Sequence, residues 1–253
     1  MRYALIVLLA LISVGCASVP RVREGAVVAA TPPYEAWARV LTNYVDAEGR
    51  IDFAGVAKDR VDLDVFVDYV NARAPNNQPA QFPSSAHALA FHINAYNALA
   101  MHKVIEAGIP QTFAGLKKVG FFYVDKVLVG GEAISLYDYE NKVIRAFNEP
   151  RIHVTLNCMS VSCPRLPREV FTAERLEAQL TREAHYFYNE PRNVAVNEAA
   201  KSITLSEILK FYTEDFLAHA PSLAAYVNRY RAQKIPEDYR VEFFDYDWRV
   251  NRQ

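Results

Sequence analysis

The densest set of chemically capable side chains in this 253-residue sequence lies in the run RIHVTLNCMSVSCPRLP, residues 151–167. It holds His153, Asn157, Cys158, Ser160, Ser162 and Cys163 within a dozen positions. A thiol attacks only as thiolate, and histidine is its usual activating partner. Cys158 is therefore the first candidate nucleophile, Cys163 a weaker one, and His153 the base. Local geometry limits this pairing. If the run is a strand, His153 and Cys158 point to opposite faces, and five residues of strand separate them by about 16 Å. They meet only if the chain turns after Asn157, or if Cys163 folds back instead. Two plainer alternatives use the same residues. Cys158 and Cys163 could close a short-loop disulfide, with His153 merely hydrogen-bonded. Together with His153 they could also serve as zinc ligands. The C-x4-C spacing is wider than a zinc knuckle and no second cysteine pair exists, so no metal or cofactor is assigned.

Three further polar residues fall where apolar ones are expected. Glu140 shares a helix face with Leu136, Val143 and Phe147, and a glutamate is rarely buried without a partner. Arg151, His153, Asn94 and Asn97 are candidates to meet it, either as a structural ion pair or with Glu140 orienting His153. Asn94 and Asn97 sit one turn apart on a core-facing helix side and must find hydrogen-bond partners. They either fix backbone loops or donate to a substrate carbonyl. His87, His92, His102 and His185 gain no partner from spacing and are read as structural.

The elements that must position these residues read as an α+β domain. Helices are expected over about 34–45 and 62–74. The segment PSSAHALAFHINAYNALAMHKVIEAGIP is the clearest helix in the chain. Ser84 or Ser85 can cap its start, Gly108 can close it, and Pro110 forbids continuation. It is apolar nearly all round, so it should be central and buried. GFFYVDKVLVGGEAISL reads as two strands turning near Asp125-Lys126. Ser135 with Asp138 opens a helix to about Phe147, RIHVTLN reads as a strand, and a helix spans about 173–189. NVAVNEAAKSITL suggests a hairpin, Ser206 and Ser222 open helices, and VEFFDYDW reads as a closing strand. The expectation is a single globular domain of several helices on a small, mainly antiparallel sheet, over residues 34–253.

The N-terminus, MRYALIVLLALISVGCASVP, carries Arg2, a short apolar run and Cys16 after the small residue Gly15. The run is about half the roughly 20 residues a spanning helix needs, so residues 1–16 read as a secretory signal. A cysteine at that point marks a lipoprotein, with Cys16 the lipidation site and residues 17–33 a tether ending in Pro32-Pro33. Ala17 and Ser18, with no aspartate beside the cysteine, point to the outer membrane. The chain is thus expected on the periplasmic side of the cell envelope, held to the membrane by the lipid on Cys16. The formal net charge of −1 argues against nucleic acid, which calls for a clustered basic surface.

Taken together, AFHINAYNAL, the Glu140 helix, PRIHVTLNCMSVSCPRL and VEFFDYDWRVN resemble the DUF547 family, a domain of unknown function, over about 34–251. The matching positions are Asn94, Tyr96, Asn97, Glu140, Arg151, His153, Asn157, Cys158, Ser160, Cys163 and Pro164. The family typically has Trp where this chain has His92, and Glu-His where it has Glu140-Asn141. Through the resemblance, Tyr96, Arg151, Asn157 and Ser160 join Asn94 and Asn97 as candidate substrate-binding residues. The leading functional expectation is a thiol hydrolase or acyl transferase acting on a peptide- or amide-like ligand or an envelope protein. Its residues are Cys158, Cys163, His153 and Glu140. The rivals are a non-catalytic binding module with a structural Cys158–Cys163 disulfide, and a redox-active cysteine pair, which the absence of C-x-x-C disfavours.

Overall fold

The structure is a computed structural model that describes Arg23, Gly25 and residues 27–253. The expected signal over 1–16, Cys16 and part of the expected tether lie outside the described residues. Among the described residues, no helix is long and apolar enough to cross a membrane.

The first half of the chain is helical: α1 (Tyr34–Tyr44), α2 (Phe53–Lys58), α3 (Val61–Ala72) and α4 (Ser85–Glu106). As its caps foretell, α4 starts at Ser84, whose hydroxyl accepts the His87 amide, and stops before Gly108, where φ is +73°. From Leu89 to Met101 every α4 side chain is buried. A helix surrounded on all sides must satisfy its polar side chains internally. The two polar pairs do so in opposite directions. His92 and Tyr96 reach Tyr139 and Glu140, whereas Asn94 and Asn97 reach the loops around Phe171 and Thr155.

Next come α5 (Leu116–Val119), which runs on as a π-helical turn through Gly120–Val124, and the hairpin of β1 (Lys126–Val129) and β2 (Glu132–Ser135). The expected strand over GFFYV is therefore helical. The hairpin turns not at Asp125-Lys126 but at Gly130-Gly131, where φ is +57° and +83°. Two left-handed positions in a row are what a tight hairpin needs, and glycine adopts them without steric cost. Ser135 caps α6 (Leu136–Asp138), which loosens into a π-helical turn (Tyr139–Ile144) and a 3-10 turn (Arg145–Phe147).

The expected strand over RIHVTLN is also absent. Pro150–Val154 is a 3-10 helix whose first turn is capped by the Glu149 carboxylate on the Arg151 amide. Proline at the first helical position, preceded by a capping acid, outweighs the β-branched residues that suggested a strand. The opposite-face restriction on His153 and Cys158 therefore does not apply.

After α7 (Leu176–Asn189), β3 (Val194–Asn197) and β4 (Ser202–Leu205) form the expected antiparallel hairpin. The short helices α8 (Glu207–Phe211), α9 (Thr213–Leu217) and α10 (Leu223–Asn228) follow. β5 (Arg240–Phe243) joins β4 in parallel, and only the first part of VEFFDYDW is strand. The protein is an α+β domain with two small sheets, β1-β2 and β3-β4-β5. One apolar cluster gathers α1–α4, the α6 segment and Ile152. A second gathers Val154, the C-terminal half of α7, β3, β4 and the helices after it. The 150–157 segment thus runs along the seam between the two, where the candidate site opens.

Candidate active site

A cavity of about 320 Å³ opens at that seam. α4 and the α6 segment contribute Tyr96, Glu140, Asn141 and Arg145, while the seam contributes His153, Cys158, Cys163 and Pro164. The chain after β4 closes it with Ile208, Phe211, Tyr212 and Tyr246. A mainly aromatic wall with a few convergent polar groups is the usual composition of a small-molecule site.

At one end lie the sulfurs. The two cysteines are unbridged. Asn157 fixes the turn that carries them: its side-chain oxygen accepts the Met159 amide and its amide donates to the Pro164 carbonyl. Met159 itself is held at φ +69° and fully buried. Such a conformation costs about 1–3 kcal/mol for a residue with a side chain, and such costs cluster at functional sites. The turn brings the Cys158 amide to 2.9 Å from Cys163 Sγ. Tyr246 and Ser160 place their hydroxyls 3.2 and 3.5 Å from the same sulfur. Burial pushes the Cys163 thiol up, but the donors on Cys158, Tyr246 and Ser160 outweigh it and bring it down to about 7. The Cys158 thiol is raised by burial and by its hydrogen bond to Cys163. The first proton therefore leaves Cys163. Cys158, partly buried at the pocket face, stays a thiol and contacts Ser160 and Tyr246. This inverts the expected ranking of the two cysteines.

At the other end lies His153, whose side chain is fully buried. Its ring stacks on Tyr212 at 3.8 Å and meets Phe216 edge-on. Nε2 bonds the Asp215 carboxylate at 2.8 Å, so Nε2 carries the proton and, in the neutral ring, Nδ1 carries the lone pair. Nδ1 has no hydrogen-bond partner, and Glu140 Oε1 stands 3.7 Å away, beyond hydrogen-bond length. Arg145 grips Asp215 with two bonds of 2.8 and 2.6 Å. Burial works to raise the Asp215 carboxyl, yet the bonds from His153 and Arg145 hold it well below the usual carboxylate range. Asp215, not Glu140, thus fixes the imidazole. Glu140 is buried and accepts the Tyr96 hydroxyl at 3.2 Å. Neither sulfur is hydrogen-bonded to His153, so the expected Cys–His pair is not formed. With the ring standing apart from the sulfurs, the three residues also do not converge as metal ligands; among the described residues no such group does.

The remaining candidate substrate binders divide in two. Tyr96 lines the cavity, and Ser160 is buried in the sulfur cluster. Asn94 is committed to backbone, donating to the Ala90 and Phe171 carbonyls and accepting the Phe171 amide. Asn97 donates to the Thr155 carbonyl and accepts the Asn157 amide. Both take the loop-fixing role of the two weighed for them, and Asn157 is fixed in the same way. Arg151 turns away from the cavity to Glu149, Glu177 and Thr181. Sequence reasoning missed Asp215, Tyr212 and Tyr246. Tyr246 lay within the VEFFDYDW block, but Asp215 sits in an ordinary short acidic helix 62 positions from the histidine it holds.

Neither curated proteins nor solved structures returned a match to the chain. A family model described as "Protein of unknown function, DUF547" matches residues 80–188, a narrower stretch than the resemblance over 34–251 and one that ends before Asp215 and Tyr246. Through that stretch, which carries α4, Glu140, His153 and both cysteines, the chain is similar to the DUF547 family.

Proposed function

We propose that the cavity is the active site of a thiol-dependent hydrolase or acyl transferase acting on a peptide- or amide-like substrate. We further propose that it works on the periplasmic side of the envelope, anchored through a lipid on Cys16. One observation carries the chemical part. A low-pKa thiol and a buried imidazole nitrogen without a partner line the same aromatic cavity. A buried polar atom left unpaired in a folded protein calls for an explanation, and a catalytic role is one.

The roles differ from a Cys–His dyad. Cys163 is activated by the donors around it, and His153 handles protons for the substrate. Cys163 ionises to solvent, its anion held by the surrounding donors, and His153 separately takes up one proton at Nδ1. The thiolate attacks the carbonyl carbon, forming the S–C bond, and collapse breaks the C–N bond while His153 protonates the departing nitrogen. Water, or an acceptor amine, then attacks the thioester with its proton going to His153, and sulfur leaves as thiolate. Asp215 holds the ring in place through Nε2, as an orienting carboxylate does in catalytic triads.

Incubation with a panel of activated acyl esters and amides tests this. A burst of leaving group is expected, with the acyl mass located on Cys163 and absent in Cys163→Ser. Equal turnover by wild type and Cys163→Ser overturns the proposal. A second reading rests on the two sulfurs sharing the hydroxyls of Ser160 and Tyr246, with neither bonded to His153. In thiol–disulfide exchange, Cys163 would attack a substrate disulfide and Cys158 would resolve the mixed disulfide, oxidising the pair and reducing the substrate by two electrons. Reduction of a disulfide peptide with stoichiometric formation of the Cys158–Cys163 bridge, and no acyl capture, is the result that favours it.

A further inference from the structure

Beside the cavity mouth, the segment from Leu116 to Val124 turns an apolar face to solvent. Leu116 is 90 % exposed, and Val119, Tyr123 and Val124 are each close to half exposed. They follow one another at positions i, i+3, i+7 and i+8, so they share the outer side of one helical segment. The inner side is also apolar: Phe121 and Phe122 are buried and pack against Phe113. A surface helix ordinarily carries charge on its outer side, so this arrangement requires something to cover it.

Its charge selects the cover. Between Glu106 and Asp125 the sequence has no acidic residue and has Lys117 and Lys118. Lys117 is exposed at the edge of the apolar arc, and Lys118 lays its ammonium 3.8 Å from the Trp248 ring. Asp125, the first acid beyond the segment, lies 3.9 Å from Lys103. Apolar and aromatic side chains flanked by lysines, with no acid among them, match the interfacial zone of a bilayer bearing anionic headgroups. The segment also borders the site, because Lys118, Phe122 and Tyr123 line the cavity. Tyr123 packs at a tilt against Tyr137, which is itself partly exposed at the rim.

We infer that residues 116–124 seat in an anionic lipid surface, so that the cavity opens at the membrane interface. This assignment does not rest on the thiol chemistry, and depth of insertion is read separately from turnover. The full chain is reconstituted with vesicles whose acyl chains are brominated, made either of phosphatidylcholine alone or with phosphatidylglycerol. Val119→Trp supplies a reporter on the face, and Val241→Trp, on an exposed part of β5, supplies the control. The native chain corrects for Trp37 and Trp248. The expected result is loss of most of the added fluorescence at position 119 in vesicles with phosphatidylglycerol, less in phosphatidylcholine alone, and little at position 241. Equal quenching at 119 and 241, or none at 119, overturns the inference. Equal quenching at 119 in both lipid mixtures overturns the anionic assignment. Lys117→Glu in the Val119→Trp background is expected to reduce quenching in the anionic vesicles, and an unchanged signal contradicts the role given to charge.

Discussion

The two ends of the cavity are built on opposite principles. At the sulfur end, a backbone amide and two hydroxyls converge on one atom, Cys163 Sγ, so its anion is satisfied before any ligand arrives. At the imidazole end, Asp215 and Arg145 fix the ring from behind, while Nδ1 is left without a partner in a buried position. The contrast separates two jobs that a Cys–His dyad joins in one hydrogen bond. Stabilising a thiolate needs donors held still. Moving protons to and from a substrate needs a nitrogen that the resting protein does not occupy.

The separation is most exposed to a change at His153. His153→Gln is expected to lower turnover of an acyl substrate by about 10²–10⁴-fold while leaving the first acylation of the thiol detectable by mass. Loss of acylation together with turnover would rejoin the two ends into a dyad. The next largest effect is on the link between them. Asn97 holds the Thr155 carbonyl and the Asn157 amide, on the loop that runs from His153 to Cys158. Asn97→Ala leaves both backbone groups buried and unpaired, at about 1–3 kcal/mol each. Denaturant unfolding is expected to show the sum, and a change under about 0.5 kcal/mol would mean that the loop finds other partners.

At the sulfur end alone, Tyr246→Phe removes a donor shared by both sulfurs. The pH midpoint of thiol alkylation is expected to rise by about one to two units, since a hydrogen bond to a charged group contributes about 1.5–3 kcal/mol. An unmoved midpoint would take Tyr246 out of the account. The smallest effect belongs to Asp215. Its folded-state pKa is depressed, so its contribution to stability is present above the ordinary carboxylate pKa and is lost as pH falls below it. Asp215→Asn should therefore flatten the acid limb of the melting temperature against pH, and parallel limbs for the two proteins would contradict this.

Much of this arrangement could be read in the sequence, and the parts that could not have definite causes. The helix α4 was legible because Ser84, Gly108 and Pro110 bracket a run too apolar to be anything but buried. Glu140 was legible as a buried acid in need of a partner, since helical periodicity alone puts it on the apolar face. The hairpin turn at Gly130-Gly131 carried a plain signal, but alternating apolar residues across Asp125-Lys126 drew the turn forward. The 3-10 helix of residues 150–154 was hidden because β-branched residues favour strands, and a local cap by Glu149 outweighs that preference here. Asp215 was out of reach. Its partner is 62 positions away, and the short helix holding it looks like any solvated acidic turn. No local rule places a tertiary hydrogen bond.

The most direct test of the division of labour is the rate of iodoacetamide alkylation against pH, with the modified cysteine identified by mass, for the native protein and for His153→Gln. The account predicts labelling at Cys163 with a midpoint near pH 7 in both proteins, because donors on Cys158, Tyr246 and Ser160 make the thiolate. Labelling in the native protein only, or a midpoint at the ordinary thiol value, would contradict it.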